Sequence, residues 1–397
     1  MKTHIRILEV ATSSVREAIA RLRYDVYVEE RGFSMSGADH ACRLLLDESD
    51  QHSVVFGAFD GDEAIGTVRV TPMTSIPADD PSRQLYGVSS LELPETSMAV
   101  VGRLMVRPSH RGSSACLQLI TAAYARARRD GQEVGLMDCT ARQLPIDEML
   151  GCRRYKDVVG DPVYGMNIPL LNILGDVRHL ERIRSPLLYA AREFPADPAL
   201  SDWYEKSFPD YNRACSIRLM AREEWEPRVL GGDRQSAHSL FDGTPALGLQ
   251  RLLKASTLID IESDNTILPR GNRGTEMYLI VDGAVEMAID HPTQGQRLTG
   301  LGRGQLVGES GFLWGSRAPA CWEARTLTRC TLLSLSAGHF HRLSAVDPQL
   351  TGRVLFNLSK DLCRRLYVNT RGVGAAPSFA RHADDPRIDR CPKPSCL

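Results

Sequence analysis

Residues 101–129 read VGRLMVRPSHRGSSACLQLITAAYARARR, and this stretch decides the fold. An apolar strand ends near Val106 and Pro108 breaks it, since proline cannot donate to a ladder. Arg111-Gly112-Ser113-Ser114 then turns into a helix that places Leu117, Ile120, Tyr124 and Ala127 on one face. A glycine turn at a helix start leaves backbone N–H groups pointing outward at the positive end of the helix dipole. Small residues there let a phosphate approach the backbone, and Arg111 adds charge. The same spacing also serves an ordinary strand–turn–helix with a surface arginine.

Outward from this unit, strand-like runs at 53–59, 64–70, 99–106 and 134–139 alternate with helical ones, which predicts a mixed α/β domain over residues 1–170. Residues 171–238 are rich in Arg, Glu and Pro, with helix-period stretches at 176–184 and 198–206, and read as a helical connector. From Leu240 the texture changes to short strands punctuated by glycine, from Gly271 through Gly315. That pattern predicts a small β-barrel or jelly roll over 239–370, closed by a helix at 348–367. Residues 371–397 read as a flexible tail. The fold class expected is α+β and multidomain.

The chain has 397 residues, enough for two or three domains. With 48 Lys+Arg against 49 Asp+Glu, the net charge is -1, which gives no electrostatic reason to bind nucleic acid or a membrane surface. No apolar run approaches the ~18–20 residues of a membrane span. The opening MKTHIRILEVATSS alternates as a first strand does and lacks the pattern of a signal peptide. Ten cysteines are scattered without a CxxC pair, as free thiols in a reducing compartment are. A cytoplasmic protein with no transmembrane segment and no metal centre is the expectation.

The strand–RGSS–helix unit resembles the acyl-CoA-binding motif of the GNAT acyltransferase superfamily, R-x-x-G-x-G/A. Arg111 and Gly112 match, whereas Ser114 and Cys116 stand at the two later small positions. Upstream, RLRYDVYVEERGF at 21–33, LDESDQH at 46–52 and GTVR at 66–69 look like one GNAT branch. That branch holds the acyl-homoserine-lactone autoinducer synthases, the long-chain N-acyl amino acid synthases and the exosortase-associated acyltransferases. Arg23, Tyr27 and Phe33 reproduce its Arg–aromatic–aromatic intervals. Asp47 and Asp50 match its D-x-x-D pair, Arg69 its G-T-x-R strand and Arg103 its strand-borne arginine. The branch often carries an acid where this chain has Val100.

The resemblance implies a thioester held so that an amine attacks its carbonyl directly, with rate coming from positioning and oxyanion polarisation. It assigns Arg23, Phe33, Asp47, Asp50, Arg69 and Arg103 to catalysis. Donor binding falls to the backbone at Met105 and Val106 and to Arg111, Gly112, Ser113 and Ser114. The proton acceptor is left open among Glu29, Glu30, Asp47 and Asp50. Asp147 stands four residues before Gly151, where GNATs often place a tyrosine, and Tyr155 is a nearby substitute. Part of the Arg–Asp cluster also fits a structural ion-pair network. The donor is an acyl carrier protein bearing phosphopantetheine, or an acyl-CoA; the branch often prefers the carrier protein, which suits a loop with its later glycines replaced.

Residues 240–370 resemble the cyclic-nucleotide-binding fold. EMYLIVDG at 276–283 matches its strand–Gly turn, and LGRGQLVGE at 301–309 leads into its phosphate-binding cassette. The resemblance has Gly308 and Glu309 open a short helix, gives Glu309 to the ribose hydroxyl, and gives backbone N–H groups and Arg317 to the cyclic phosphate, although Arg317 precedes the usual position, held by Ala318. Cyclic AMP or cyclic GMP is the implied effector, with a degenerate dimerisation or docking module as the other reading. Only 27 residues follow Thr370, too few for the helix-turn-helix of catabolite-activator-type regulators.

The expected function is N-acyl transfer from a carrier-protein or CoA thioester to a small, amino-acid-like amine, regulated through the carboxy-terminal domain. A homodimer is an assembly to expect. Two alternatives accompany it: an acetyl-CoA-dependent protein lysine acetyltransferase, and a non-catalytic cyclic-nucleotide sensor or docking protein.

Overall fold

The computed structural model describes residues 5–161, 165–230, 239–254, 256–291, 295–315 and 320–373. Its amino-terminal part is one eight-stranded mixed sheet. The strands are β1 (Ile5–Glu9), β2 (Val54–Asp60), β3 (Glu63–Pro72), β4 (Met98–Val106), β5 (Val134–Cys139), β6 (Arg153–Arg154), β7 (Val159–Asp161) and β8 (Gly165–Ile173). They lie in the order β1-β2-β3-β4-β5-β8-β6, with β7 paired to β8. Every residue of β8 is buried, as a strand covered on both faces requires.

Helix α1 (Ser13–Tyr24) is capped by Thr12, whose hydroxyl accepts from the Val15 N–H. It runs into a wide π-type turn (Asp25–Glu30), and the chain leaves that turn at Gly32, φ 68°. Helix α2 (Ala115–Arg129) buries Leu119, Ala123, Tyr124 and Ala127 against β2–β4. Of the face expected from periodicity, Tyr124 and Ala127 are buried and Ile120 half-buried, but Leu117 is exposed, because the buried stripe is centred on Leu119 and Ala123. A shorter α3 (Leu144–Leu150) ends at Gly151, φ 107°, where a side chain would be strained.

Two irregularities shape the sheet. Thr67 pairs with Met105 but Arg69 pairs with Gly102, so β4 carries one extra residue there. Arg103 sits in this bulge at φ 55°, and a bulge re-aims the side chain it carries. The second concerns β4 and β5, the sheet's parallel pair, which are in register from Met98–Val134 to Val100–Leu136 and then part.

Beyond the sheet come α4 (Val177–Arg182), α5 (Leu188–Ala191), α6 (Pro198–Ser207) and α7 (Arg222–Leu230). They pack onto both halves of the molecule. Tyr204 is buried and its hydroxyl donates to the Arg154 carbonyl at 2.6 Å. Trp225, Val229 and Leu230 join the core of the carboxy-terminal half.

That half opens with α8 (Ala246–Leu253) and continues through β9 (Thr257–Ile261), β10 (Thr266–Leu268), β11 (Glu276–Asp282), β12 (Val285–His291), β13 (Gly295–Leu301), β14 (Leu306–Val307), α9 (Glu309–Trp314), β15 (Trp322–Thr326) and β16 (Cys330–Ser336). Helices α10 (Ala337–Val346) and α11 (Pro348–Val373) close it. The strands form two four-stranded antiparallel sheets, β9-β16-β11-β14 and β10-β15-β12-β13. Of the two architectures expected, the two-sheet one is realised and the closed barrel is not. Edge strands β14 and β10 span two and three residues, too short to carry a ladder from one sheet into the next.

The halves share a core. Met166, Ile168 and Leu170 of β8 belong to the same buried cluster as Ile259, Ile267, Ile280 and Leu332. The Gly160 N–H donates to Asn265 Oδ1 at 2.9 Å, and a Cβ on Gly165 would come within 2.8 Å of the Ile267 carbonyl oxygen. No described helix is long and apolar enough to cross a membrane.

Candidate active site

Where β4 and β5 part, a cleft of about 720 Å³ opens, a size suited to a small-molecule ligand. Val100, Val101, Leu104 and Met105 of β4 and Met137 of β5 give it apolar walls, with Ile76 and Pro77 from a loop and Leu85 from the short helix Pro81–Leu85. Alternate backbone amides along a strand face opposite edges, so beyond Val100 some amides of β4 turn toward the gap rather than toward β5. The apolar Val100 lines this cleft where the acyltransferase branch often has an acid.

Beneath the cleft three arginines share two aspartates. Arg23, 1% exposed, donates to Asp50 through Nη1 at 2.5 Å and Nη2 at 3.1 Å. Arg69 bridges Asp47 at 2.7 Å and Asp50 at 3.4 Å. Arg103 donates to Asp47 through Nε at 2.8 Å and Nη2 at 2.5 Å. Burial pushes the Asp47 carboxyl up, but the Arg103 and Arg69 guanidiniums outweigh it and hold it well below the usual carboxylate range. The bulge aims Arg103 at Asp47, and its guanidinium lies 5.6 Å from the Tyr27 ring centroid.

Of the six residues assigned to catalysis from sequence, Phe33, Arg69 and Arg103 line the cleft, while Arg23, Asp47 and Asp50 stand behind them. Met105 also lines it. Arg111 has a different setting: Nε donates to the Val106 carbonyl at 3.0 Å, and Nη1 and Nη2 both reach Glu30 at 2.6 Å. Gly112, φ 83°, Ser113 and Ser114 are exposed at the start of α2. They and Val106 stand outside the cleft walls.

The cleft's other end holds acids. Asp147, on α3, is 9% exposed and lines it. Burial raises its carboxyl to about 7, with Asp138 and Glu148 adding to the rise and a hydrogen bond from the Cys139 thiol opposing it. The Tyr86 hydroxyl donates to Asp138 at 2.5 Å. Tyr155 is turned away, its hydroxyl donating to the Tyr86 carbonyl at 2.9 Å. Asp138 and Tyr86 escaped the sequence reading. The one signal for Asp138 is an acid within the otherwise apolar run VGLMDC, and Tyr86 has none.

In the carboxy-terminal half Gly308, φ 94°, precedes α9 with its Cα against the Glu276 carbonyl, leaving no room for a Cβ. Glu309 is buried and ion-paired with Arg365 of α11. Burial raises its carboxyl and Arg365 opposes the rise. Arg317 lies outside the described residues.

Residues 18–171 match the family model described as N-acyl amino acid synthase FeeM, and residues 258–347 match the cyclic nucleotide-binding domain. Among solved structures the chain is similar to the AHL synthase LasI, at 16% identity and a TM-score of 0.36 over 44% of this chain and 92% of that one. It is also similar to TofI in a ternary complex with an inhibitor and MTA, at 18% identity and 0.37 over 47% and 99%. A cyclic nucleotide-binding domain from Methylobacillus flagellatus matches at 18% identity and 0.36, over 41% and 89%. No curated protein matches. By its family models, the chain joins an acyltransferase domain of the N-acyl amino acid synthase type to a cyclic nucleotide-binding domain.

Proposed function

We propose that this acyltransferase moves an acyl group from a thioester, on carrier-protein phosphopantetheine or coenzyme A, to a small amino-acid-like amine, under control of the carboxy-terminal domain. The observation that carries the reading is the cleft itself: split strands, apolar walls, arginines on one side and the buried Asp147 on another. The thioester arm lies in the gap between β4 and β5, with its carbonyl oxygen toward the free amides of β4. Asp147 in its ionised form accepts a proton from the attacking ammonium group. The free amine adds to the carbonyl carbon, the C–S bond breaks, and the proton that the nitrogen sheds on becoming an amide passes to the sulfur, which leaves as a thiol. One amide bond forms for each thioester bond lost.

Arg69 and Arg103 favour an acceptor that carries a carboxylate. Both side chains line the cleft and reach Asp47 from its side, so their guanidinium donors stand where an acceptor's carboxylate would enter. Arg23, Asp47 and Asp50 hold the pair in position from behind.

Control would run through Glu309. With Glu309 engaged by Arg365, a cyclic nucleotide whose sugar takes Glu309 must displace that pair, shifting the population in which α11 is held.

The test is release of free thiol from long-chain acyl carrier protein, and separately from acyl-CoA, incubated with the chain and pooled amino acids, with products read by mass. An acyl–amino acid product names donor and acceptor together. Folded protein that releases no thiol from either donor overturns the reading, and equal turnover with and without saturating cyclic AMP or cyclic GMP overturns the regulatory part.

A further inference from the structure

A second cavity, about 380 Å³, lies between the acyltransferase sheet and the cyclic nucleotide-binding sheets. It adjoins the first, since Arg31, Phe33 and Thr140 line both. Four guanidiniums border it, Arg31, Arg111 and Arg142 from the acyltransferase side and Arg273 from the other, against two carboxylates, Glu30 and Glu276. Both carboxylates are taken. Glu30 receives both Nη groups of Arg111 at 2.6 Å, and Glu276 faces Arg142 across the domain boundary at 3.7 Å. That leaves Arg31 and Arg273 as surplus positive charge.

The two come close through Gly32. At φ 68° this glycine packs so tightly on the Arg273 side chain that a Cβ there would meet Nε at 2.6 Å. The Arg273 guanidinium from one domain is thereby set against the backbone directly after Arg31 in the other. Burial and the neighbouring Arg142 both pull the Arg31 guanidinium below its ordinary value, the mark of a crowded cationic site. The rest of the wall mixes the aromatic rings of Phe33, Phe312 and Trp314 with polar side chains such as Asn272 and His341.

We propose that this interdomain cavity binds a phosphate-bearing small molecule, its phosphate held between Arg31 and Arg273 and its remainder against the aromatic wall. Guanidinium forks match phosphate oxygens in pairs, and interdomain cavities with a few convergent polar groups are preferred ligand sites. The cavity borders the cassette, whose helix α9 gives it Phe312 and Trp314, but Gly308 and Glu309 do not line it, and its phosphate seat does not depend on acyl transfer in the cleft. Two sources share the chemistry: a free nucleotide, or the phosphopantetheine arm of an acyl donor on its way to the adjoining cleft.

The experiment titrates the full chain with inorganic pyrophosphate, 4′-phosphopantetheine and cyclic AMP, following heat release and melting temperature. At least one probe is expected to bind and raise the melting temperature. Arg273→Gln should weaken that probe at least tenfold, and Arg273→Lys, which keeps the charge but loses the fork, should weaken it less. Arg329→Gln, an exposed arginine elsewhere in the same domain, should leave it unchanged. Dependence on Arg273 for phosphopantetheine assigns the site to the donor, and for cyclic AMP to an effector. Should Arg273→Gln not fold, the lysine variant and loss of binding at high salt carry the test. Failure of all three probes to bind overturns the proposal, as does binding that Arg273→Gln leaves intact; cyclic AMP bound in that second way belongs to the cassette at Glu309.

Discussion

Asp147 and Glu148 are consecutive on α3, and their carboxylates serve opposite surroundings. Asp147 lines the acyl cleft, whereas Glu148 accepts the backbone N–H groups of Cys215 at 2.7 Å and Ser216 at 2.8 Å. Ser216 in turn bridges to Thr257 at the start of β9, and the Leu258 N–H donates to the Cys215 carbonyl at 2.8 Å. A continuous line of hydrogen bonds therefore joins the first strand of the nucleotide-binding half to the helix that carries the cleft's buried acid.

Asp147→Asn should cost at least a hundredfold in acyl transfer and abolish the rise of rate with pH through about 7, the value to which burial brings this carboxyl. Its effect on stability has the opposite sign. Between the ordinary value of 3.8 and about 7, folded Asp147 keeps a proton that the unfolded chain has released. Stability thus falls as pH rises across that window, and the loss is complete above it. Asparagine removes the dependence, so the variant should gain more in melting temperature at pH 8 than at pH 5.

Glu148→Ala strands two buried N–H groups, at about 1–3 kcal/mol each. A lower urea midpoint with unchanged slope is the expected result. Glu148→Gln keeps one acceptor oxygen and should lose about half as much.

Arg23 and Arg103 should separate cleanly. Arg23→Ala leaves the largely covered Asp50 without its closest partner and with Arg69 at 3.4 Å, a loss of about 3 kcal/mol, the low end for a broken buried pair, visible in thermal unfolding. Arg103→Ala removes a more exposed guanidinium, and Asp47 keeps Arg69. It should abolish acyl transfer while the melting temperature stays within a few degrees. Global unfolding of the Arg103 variant would make that residue structural.

Arg365→Ala releases Glu309 from its ion pair. If a cyclic nucleotide uses that carboxylate, the variant should bind it several-fold more tightly in a calorimetric titration. Unchanged or weaker binding would show that Arg365 does not compete for the site.

Much of this architecture was legible because it rests on periodicity and local chemistry. The helix face of Ile120, Tyr124 and Ala127, the turn at Gly112 and the strand–Gly turn at Gly283 are each written within a dozen residues, although Leu117, placed on that helix face, is exposed. The Arg–Asp cluster was legible too, since charge at interior strand positions seldom goes unpaired. What could not be read depends on distant pairing. Arg103 reaches Asp47 because a bulge turns it, and a bulge is a mismatch between two strands rather than a property of one. Tyr86 meets Asp138 across 52 positions of sequence. Residues 171–238 read as a connector by composition, yet Cys215 and Trp225 are core residues of the folded chain.

The shared core of β8 and β9–β16 makes the two halves one cooperative body. Cutting the chain after β8 would bare Met166, Ile168 and Leu170 to water, so neither half can be swapped for a homologous cassette as a modular fusion would allow. Heating should give a single calorimetric peak. A signal arriving at one half must then reach the other as a small displacement within a welded frame, because the buried contacts of β8 hold the halves together across their boundary.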